Sequence, residues 1–334
     1  MSRRALVAAP LLTLLLGVSA CGSGTDTGTS GAASGGASAA PVKDVVLVTH
    51  DSFSLPKPLI QQWETATGYH LVVRSNGDAG QLTNKLVLTQ GNPTGDVAFG
   101  VDNTFAGRAL DNGVFTTYGG TLPAGADRFN LATGADKLVP VDNGDVCVNV
   151  DTAWYAAHHQ TPPKTLDDLT NPAYKDQFVT EGAPTSSPGF AFLLATIAAK
   201  GDGWKAYWGA LMANGTKIDA GWDDAYFVDF TGGGGKAASR PIVLSYDSSP
   251  AYTVDKKTGR TTTATLLDTC TRQVEYAGIL AGAKNQPGAK AFIDFLLSPA
   301  VQRALPTSTL DVDPAQVEAD RDQWLNDWTD ITTK

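Results

Sequence analysis

Apolar residues along the chain fall into two rhythms. Asp44 to Thr49 (Asp-Val-Val-Leu-Val-Thr) is a short, β-branched run of the kind that buries as a strand. From Ser54 to Thr67 the apolar positions Leu55, Leu59, Ile60 and Trp63 recur at helical spacing and Gly68 supplies a stop, which predicts a helix. Tyr69 to Arg74 reads as strand, Gly80 to Gln90 as helix and Asp96 to Val101 as strand. The alternation resumes with a strand at Asp145 to Val150, a helix beginning at Thr165 to Leu169, and a strongly apolar helix from Gly189 to Lys200. Strands follow at Pro241 to Tyr246 and Val274 to Ala281. Gln286 to Leu305 reads as one long amphipathic helix, with Pro287 in its first turn and Ala289, Phe292, Ile293, Leu296 and Leu297 on one face. Strands alternating with helices imply βαβ units and largely parallel sheet. The expectation is an α/β protein of two lobes, each with its own sheet.

The chain start follows neither rhythm. Arg3 and Arg4 precede an apolar stretch from Ala5 to Val18, too short for a permanent span, which needs about 20 apolar residues. Val18-Ser19-Ala20-Cys21 then resembles the lipobox of bacterial lipoproteins, so residues 1–20 read as a lipoprotein signal peptide and Cys21 as the lipid carrier. The alternative is an ordinary signal-peptide cleavage site followed by an incidental cysteine. Gly22 to Ala40 is almost wholly Gly, Ser, Thr and Ala, which buries too little surface to offset its ordering entropy. Residues 21–43 therefore read as a flexible tether, and the protein as exported and held at the outer face of the cell membrane through lipid on Cys21.

Composition narrows the partners. The chain carries 25 basic and 34 acidic residues, a net charge of −9, and Arg3 and Arg4 both lie in the signal. Nucleic acid, which needs a basic footprint, is excluded as a partner. With Cys21 assigned to lipid, Cys147 and Cys270 remain as an even pair in an oxidising compartment and are expected to form a disulfide; the alternative is two separate buried thiols.

Enzyme chemistry finds little purchase. The four histidines are His50, His70, His158 and His159, and the adjacent pair diverges by about 100° on a helix instead of sharing a face. No metal motif, zinc-type cysteine array or nucleophile elbow is present, and neither metal nor cofactor is expected. Ser186, Ser187, Ser248 and Ser249 could be combined on paper with His50 and an aspartate into a triad, which keeps a secreted serine hydrolase as an alternative; helix capping and ligand contact explain the same hydroxyls. Gly232 to Gly235 lacks the spacing of a phosphate-binding loop and reads as a flexible turn before a strand.

Three segments point instead to a bound small molecule. Thr185-Ser186-Ser187-Pro188-Gly189 places hydroxyls at the start of the apolar helix, where free N–H groups favour an anionic or strongly accepting group. Gly221-Trp222-Asp223-Asp224-Ala225-Tyr226 and Leu244-Ser245-Tyr246-Asp247-Ser248-Ser249-Pro250-Ala251-Tyr252 each set aromatics beside carboxylates, a combination suited to a flat cation.

These segments, taken in order with Thr49-His50-Asp51-Ser52-Phe53 and Asp96-Val97-Ala98-Phe99-Gly100-Val101-Asp102-Asn103, resemble the thiamine-binding proteins of bacterial ABC importers. The likeness runs through nearly all of the globular chain to Leu305-Pro306-Thr307, and the Leu244 to Tyr252 stretch is its most specific part. It implies a type II periplasmic-binding-protein fold whose hinge is made of several chain crossings. Residues 44–141 and 255–305 would form the first lobe, and 142–254 and 306–334 the second. It further implies capture of thiamine or its phosphates between the lobes, delivery to ABC permease subunits, and a monomer without enzymatic activity. Trp222, Tyr246 and Tyr252 would wall the ligand, with Asp247, Ser248 and Ser249 continuing the second wall. Ser186 and Ser187 would meet the hydroxyl or phosphate end, and Asp78 matches an acidic contact of the first lobe. His50 stands where the family has a tyrosine, and Val141 to Asp145 lacks the tyrosines of some relatives. Ferric-iron capture on the same fold is a further alternative, weakened by the lack of an adjacent tyrosine pair.

Overall fold

The computed structural model describes residues 43–305 and, near the C-terminus, residues 323, 325, 326, 328–330, 332 and 333. The signal peptide, nearly all of the tether, Cys21 and most of the 306–334 tail lie outside the described residues.

The first part of the chain runs β1 (Asp44–Thr49), α1 (Lys57–Thr67), β2 (His70–Ser75), α2 (Ala79–Leu88), β3 (Val97–Asp102), α3 (Ala106–Asp111) and β4 (Phe115–Thr116). A long β5 (Val139–Asp151) leads to α4 (Thr152–Ala157), β6 (Phe178–Glu181), α5 (Ser187–Lys200), α6 (Trp204–Ala213), β7 (Lys217–Asp219) and β8 (Ile242–Tyr246). The chain returns through α7 (Ser249–Tyr252), β9 (Thr263–Thr265) and β10 (Thr271–Leu280) to α8 (Gln286–Leu296) and α9 (Pro299–Gln302).

The main ladder is ordered β2-β1-β3-β10-β5-β8-β6-β7, with β4 added beside β10 and β9 beside β5. Both ends are parallel, β1 with β2 and β3, and β6 with β7 and β8, whereas the centre is antiparallel. The expected pair of separate sheets is thus one continuous ladder. Its continuity comes from β5 and β10, which are long enough to pair with each other and with a strand of each half: β10 with β3, β5 with β8. The Cys147–Cys270 disulfide and the buried Arg272 Nε to Asp145 Oδ1 pair, 2.7 Å, also tie β5 to β10 or the residue before it.

Each half has its own core. Val45, Leu47, Trp63, Phe99, Phe292, Ile293 and Leu296 pack together in the first. Val148, Phe178, Phe190, Phe192, Trp208 and Leu211 do so in the second, joined from the C-terminal segment by Trp328, whose ring lies 5.5 Å from that of Trp208.

Two helices differ from expectation for local reasons. The helix expected from Ser54 begins at Lys57, because Pro56 is extended (φ −56°, ψ 123°) and Pro58 sits in the first turn, where its missing N–H costs nothing, and it ends as expected at a left-handed Gly68 whose N–H donates to the Glu64 carbonyl. The helix expected over 286–305 stops at Leu296, since Ser298 is extended and caps α9 through Val301 N–H ahead of Pro299. The segment from Thr165 forms only a 3-10 turn at Asp167–Thr170.

Candidate functional site

A cavity of about 660 Å³ opens where the two halves meet over the β5/β10 crossing. One wall comes from the loops after β1 and β2, with His50, Ser52, Leu55, Pro56 and Asp78. The opposite wall carries Trp222, Tyr226 and Phe227 and the run from Tyr246 to Thr253. Asp142, Asn143, Gly144, Gln273 and Glu275 form the floor.

The floor owes its chemistry to a strand irregularity. Pairing of β10 with β5 shifts between Glu275 and Tyr276, and pairing of β10 with β3 shifts between Tyr276 and Ala277. Such bulges bend a strand and redirect side chains. The extra residue on β3 is Gly100, at φ +99°, and a Cβ there would overlap the His50 ring. Gly100→Ala should therefore displace the imidazole and cost about 1–3 kcal/mol of stability, read as a lowered urea midpoint. An unchanged midpoint would mean that the backbone relaxes without strain.

His50 Nε2 lies 3.5 Å from Glu275 Oε1, and both side chains are largely buried. Burial works against the imidazolium, but the attraction of Glu275, reinforced by Asp78 and Asp142, outweighs it and pushes the ring up to about 9. Asp142 is driven well above the ordinary carboxylate range by burial and by the neighbouring Glu275 charge. Where this wall meets the floor, an imidazolium thus faces Glu275 beside an Asp142 carboxyl that favours its protonated form.

The aromatic wall rests on a π-helical turn, Asp224–Asp229. Its geometry stacks Tyr226 on Trp222, centroids 4.9 Å apart at 24°, with Phe227 edge-on at 5.2 Å. Trp222 Nε1 donates to Ser245 Oγ at 2.8 Å, and Tyr246 lies 6.3 Å away, tilted 58°. π-turns are rare and concentrate at functional sites. The four-glycine run, expected as a flexible turn, packs under this one: a Cβ on Gly233 would overlap the Tyr226 carbonyl oxygen.

Asp78 joins the walls. Its carboxylate caps α2 through Ala79 N–H at 2.6 Å and crosses the cavity to accept Ser187 N–H at 3.3 Å and Trp222 N–H at 2.9 Å. Burial raises its pKa, partly offset by these donors and by Ser186. Ser52 Oγ makes a second link, donating to Asp223 Oδ1 at 3.2 Å.

Of the residues singled out in the sequence, His50, Asp78, Ser187, Trp222, Tyr246, Asp247, Ser248, Ser249 and Tyr252 line this cavity. Ser186 does not: it is fully buried and its hydroxyl accepts Gly189 N–H as the cap of α5. Ser187 reaches the cavity with its hydroxyl already donated to Asp102, and Ser249 Oγ is held by Ser245 and Tyr246 N–H. Both hydroxyls thus already have protein partners, and neither is poised against a histidine. Tyr252 is largely exposed at the rim.

Sequence reading missed Asp142, Gln273, Glu275, Tyr226 and Phe227 as site residues. Gln273 and Glu275 were the findable pair, since two polar side chains at alternate positions of an otherwise buried strand share a face. Among the described residues no group of three or more His, Cys, Asp or Glu is placed to hold a metal ion, and no helix is long and apolar enough to cross a membrane.

A cleft between two halves of one curled sheet, with aromatics facing carboxyl groups, defines a binding protein of the two-lobed type II periplasmic class. Residues 92–332 match the bacterial extracellular solute-binding protein family, and the chain belongs to it. It is 29% identical over 322 residues to the thiamine-binding periplasmic protein of Escherichia coli K12, covering 86% of this chain and 94% of that one. A solved periplasmic thiamin binding protein superposes with a TM-score of 0.74 at 27% identity, over 87% of this chain and 96% of that one. Iron-bound HitA from Pseudomonas aeruginosa shares the fold, with a TM-score of 0.66 at 18% identity over 86% of this chain and 99% of that one.

Proposed function

We propose that this protein captures thiamine outside the cytoplasm, between its two lobes, and delivers it to an ABC permease without acting on it as an enzyme. The observation that carries this reading is the stacked Trp222–Tyr226 wall facing Glu275 and Asp78 across one cavity. An aromatic face attracts a cation through its quadrupole, and a nearby carboxylate adds Coulomb attraction in a cleft that excludes much of the water. Thiamine is a flat heterocyclic cation of this kind, and the relatives named for binding it support the choice.

In this reading residues 44–141 and 255–305 make one lobe, and 142–254 with the 306–334 tail make the other. Trp222, Tyr246, Tyr252, Asp247 and Ser248 contact the ligand, with Glu275 and His50 beneath it. A monomer is held to the outer face of the cell membrane through lipid on Cys21. Ligand contacts to both lobes favour the closed state over the open one.

Titrating the purified protein with thiamine by calorimetry, while following tryptophan fluorescence, tests the proposal. One-to-one binding with a change in Trp emission is expected. Absence of heat and of any emission change, with ferric iron instead producing a tyrosinate charge-transfer band, would replace thiamine with iron.

A further inference from the structure

Behind the aromatic wall lies a carboxyl group that the cavity does not use. Glu181 ends β6 fully buried, and neither of its oxygens has a hydrogen-bond partner on another described residue. Strand register places it. Val179 of β6 pairs with Val243 of β8, and both pack under Ala225, Tyr226 and Phe230, with Trp222 against them. Glu181 and Ser245 come two residues later on their strands and so share that face. The Ser245 hydroxyl there accepts Trp222 Nε1–H. Glu181 therefore stands on the sheet face that the turn carrying Trp222 and Tyr226 covers.

Nothing around Glu181 favours a charge on it. Its titratable and charged neighbours are Asp78 before α2, Asp219 and Lys217 on β7, Asp229 in the turn and Tyr246 at the end of β8. Asp219 is its direct partner in the β6/β7 ladder. Lys217, the one cation among these groups, lies 3.0 Å from Asp219 Oδ1 and is also bound by Asp229. Burial pushes the Glu181 carboxyl well above the ordinary carboxylate range; the Asp78 and Asp219 charges add to this, and its own backbone N–H opposes it. An unpaired buried carboxylate is far costlier than the neutral acid, so ionisation requires that water reach it. Water can do so only if the covering turn lifts.

We infer that Glu181 is a pH-sensitive switch behind the aromatic wall: uncharged, it lets the turn lie closed on β6 and β8, and charged, it holds the turn lifted and withdraws Trp222 and Tyr226 from the cavity. Its bearing on capture rests on the thiamine reading of that wall. The sign follows from linkage. In the lifted form Glu181 meets water and ionises at its ordinary value of 4.5, whereas under the closed turn it keeps its proton to higher pH. The closed turn therefore has its full stability below about pH 4.5. It loses up to about tenfold in population per pH unit above that, until the buried group itself ionises.

The test is hydrogen–deuterium exchange read by mass spectrometry on the purified protein at about pH 6, 7 and 8, beside Glu181→Gln, which has the size of the neutral acid and cannot ionise. Amides of residues 222–230 should exchange faster in the natural protein than in the variant, by a factor that grows up to ~10-fold per pH unit. Those of α8, in the other half, should exchange alike in both. Glu181→Met, uncharged and apolar, should behave as Glu181→Gln does and keeps the test open if the amide variant fails to fold. Equal exchange in the natural and uncharged proteins, a factor that ignores pH, or one shared by α8 would overturn the inference. Thiamine added at about pH 8 should slow exchange of residues 222–230 in the natural protein. If it does not, while the pH-dependent factor persists, the thiamine reading fails and the switch stands.

Discussion

Glu275→Gln weakens thiamine capture by about 2–5 kcal/mol, on the order of 30-fold to several thousand-fold, because it removes a carboxylate from a site where water cannot replace it. Glutamine keeps the size and the hydrogen-bonding reach of the side chain, so the loss reports charge. The same variant carries a pH signature. The His50 pKa of about 9 in the folded protein lies above the ordinary value of 6.5, which means that its ion pair with Glu275 stabilises the fold fully below about pH 6.5. That contribution disappears as the pH rises through about 9. Urea midpoints of the natural protein and of Glu275→Gln should therefore differ most near pH 6 and converge above pH 9. A gap that does not change with pH would show that His50 is not the group titrating against Glu275. Binding has a linked consequence: a cation arriving at Glu275 competes with the imidazolium, so thiamine should release a proton. Calorimetry in two buffers of different ionisation enthalpy reads that release directly.

Trp222→Ala loses about 1–3 kcal/mol of thiamine binding, roughly 5- to 150-fold, as a stacked and partly desolvated cation contact is removed. The backbone N–H that Trp222 donates to Asp78 survives the substitution, so the walls stay linked and the loss belongs to the ring. Trp222→Phe should recover most of the affinity, since it keeps an aromatic face and gives up only the Nε1 hydrogen bond to Ser245. Full affinity in the alanine variant would move the ligand away from this wall. An equal loss in both variants would make the Ser245 hydrogen bond, and not the ring face, the important feature.

Much of this architecture was legible before any coordinates. The β-branched run at Asp44 to Thr49, the helix closed by Gly68 and the apolar helix before Lys200 all form close to where periodicity put them, because each depends on interactions within a few residues. The same holds for the aromatic loops around Trp222 and Tyr246, which line the cavity as a wall. Helix ends were less legible wherever proline reset the backbone, as at Pro56 and Pro299.

By itself the sequence determined the α/β class, the cysteine pair, the aromatic wall and the acidic balance, all of which follow from local pattern and composition. Tertiary structure alone decided three things. It merged two expected sheets into one, because β5 and β10 find partners in both halves. It gathered His50, Asp142 and Glu275, far apart in the chain, into one cavity. And it brought Asp78 from the first half of the chain against the serine-rich helix start and the aromatic turn, where Ser187 N–H and Trp222 N–H donate to it. Each of these rests on contacts between residues tens to hundreds of positions apart, whose free energy is set by burial and mutual charge that no local pattern contains.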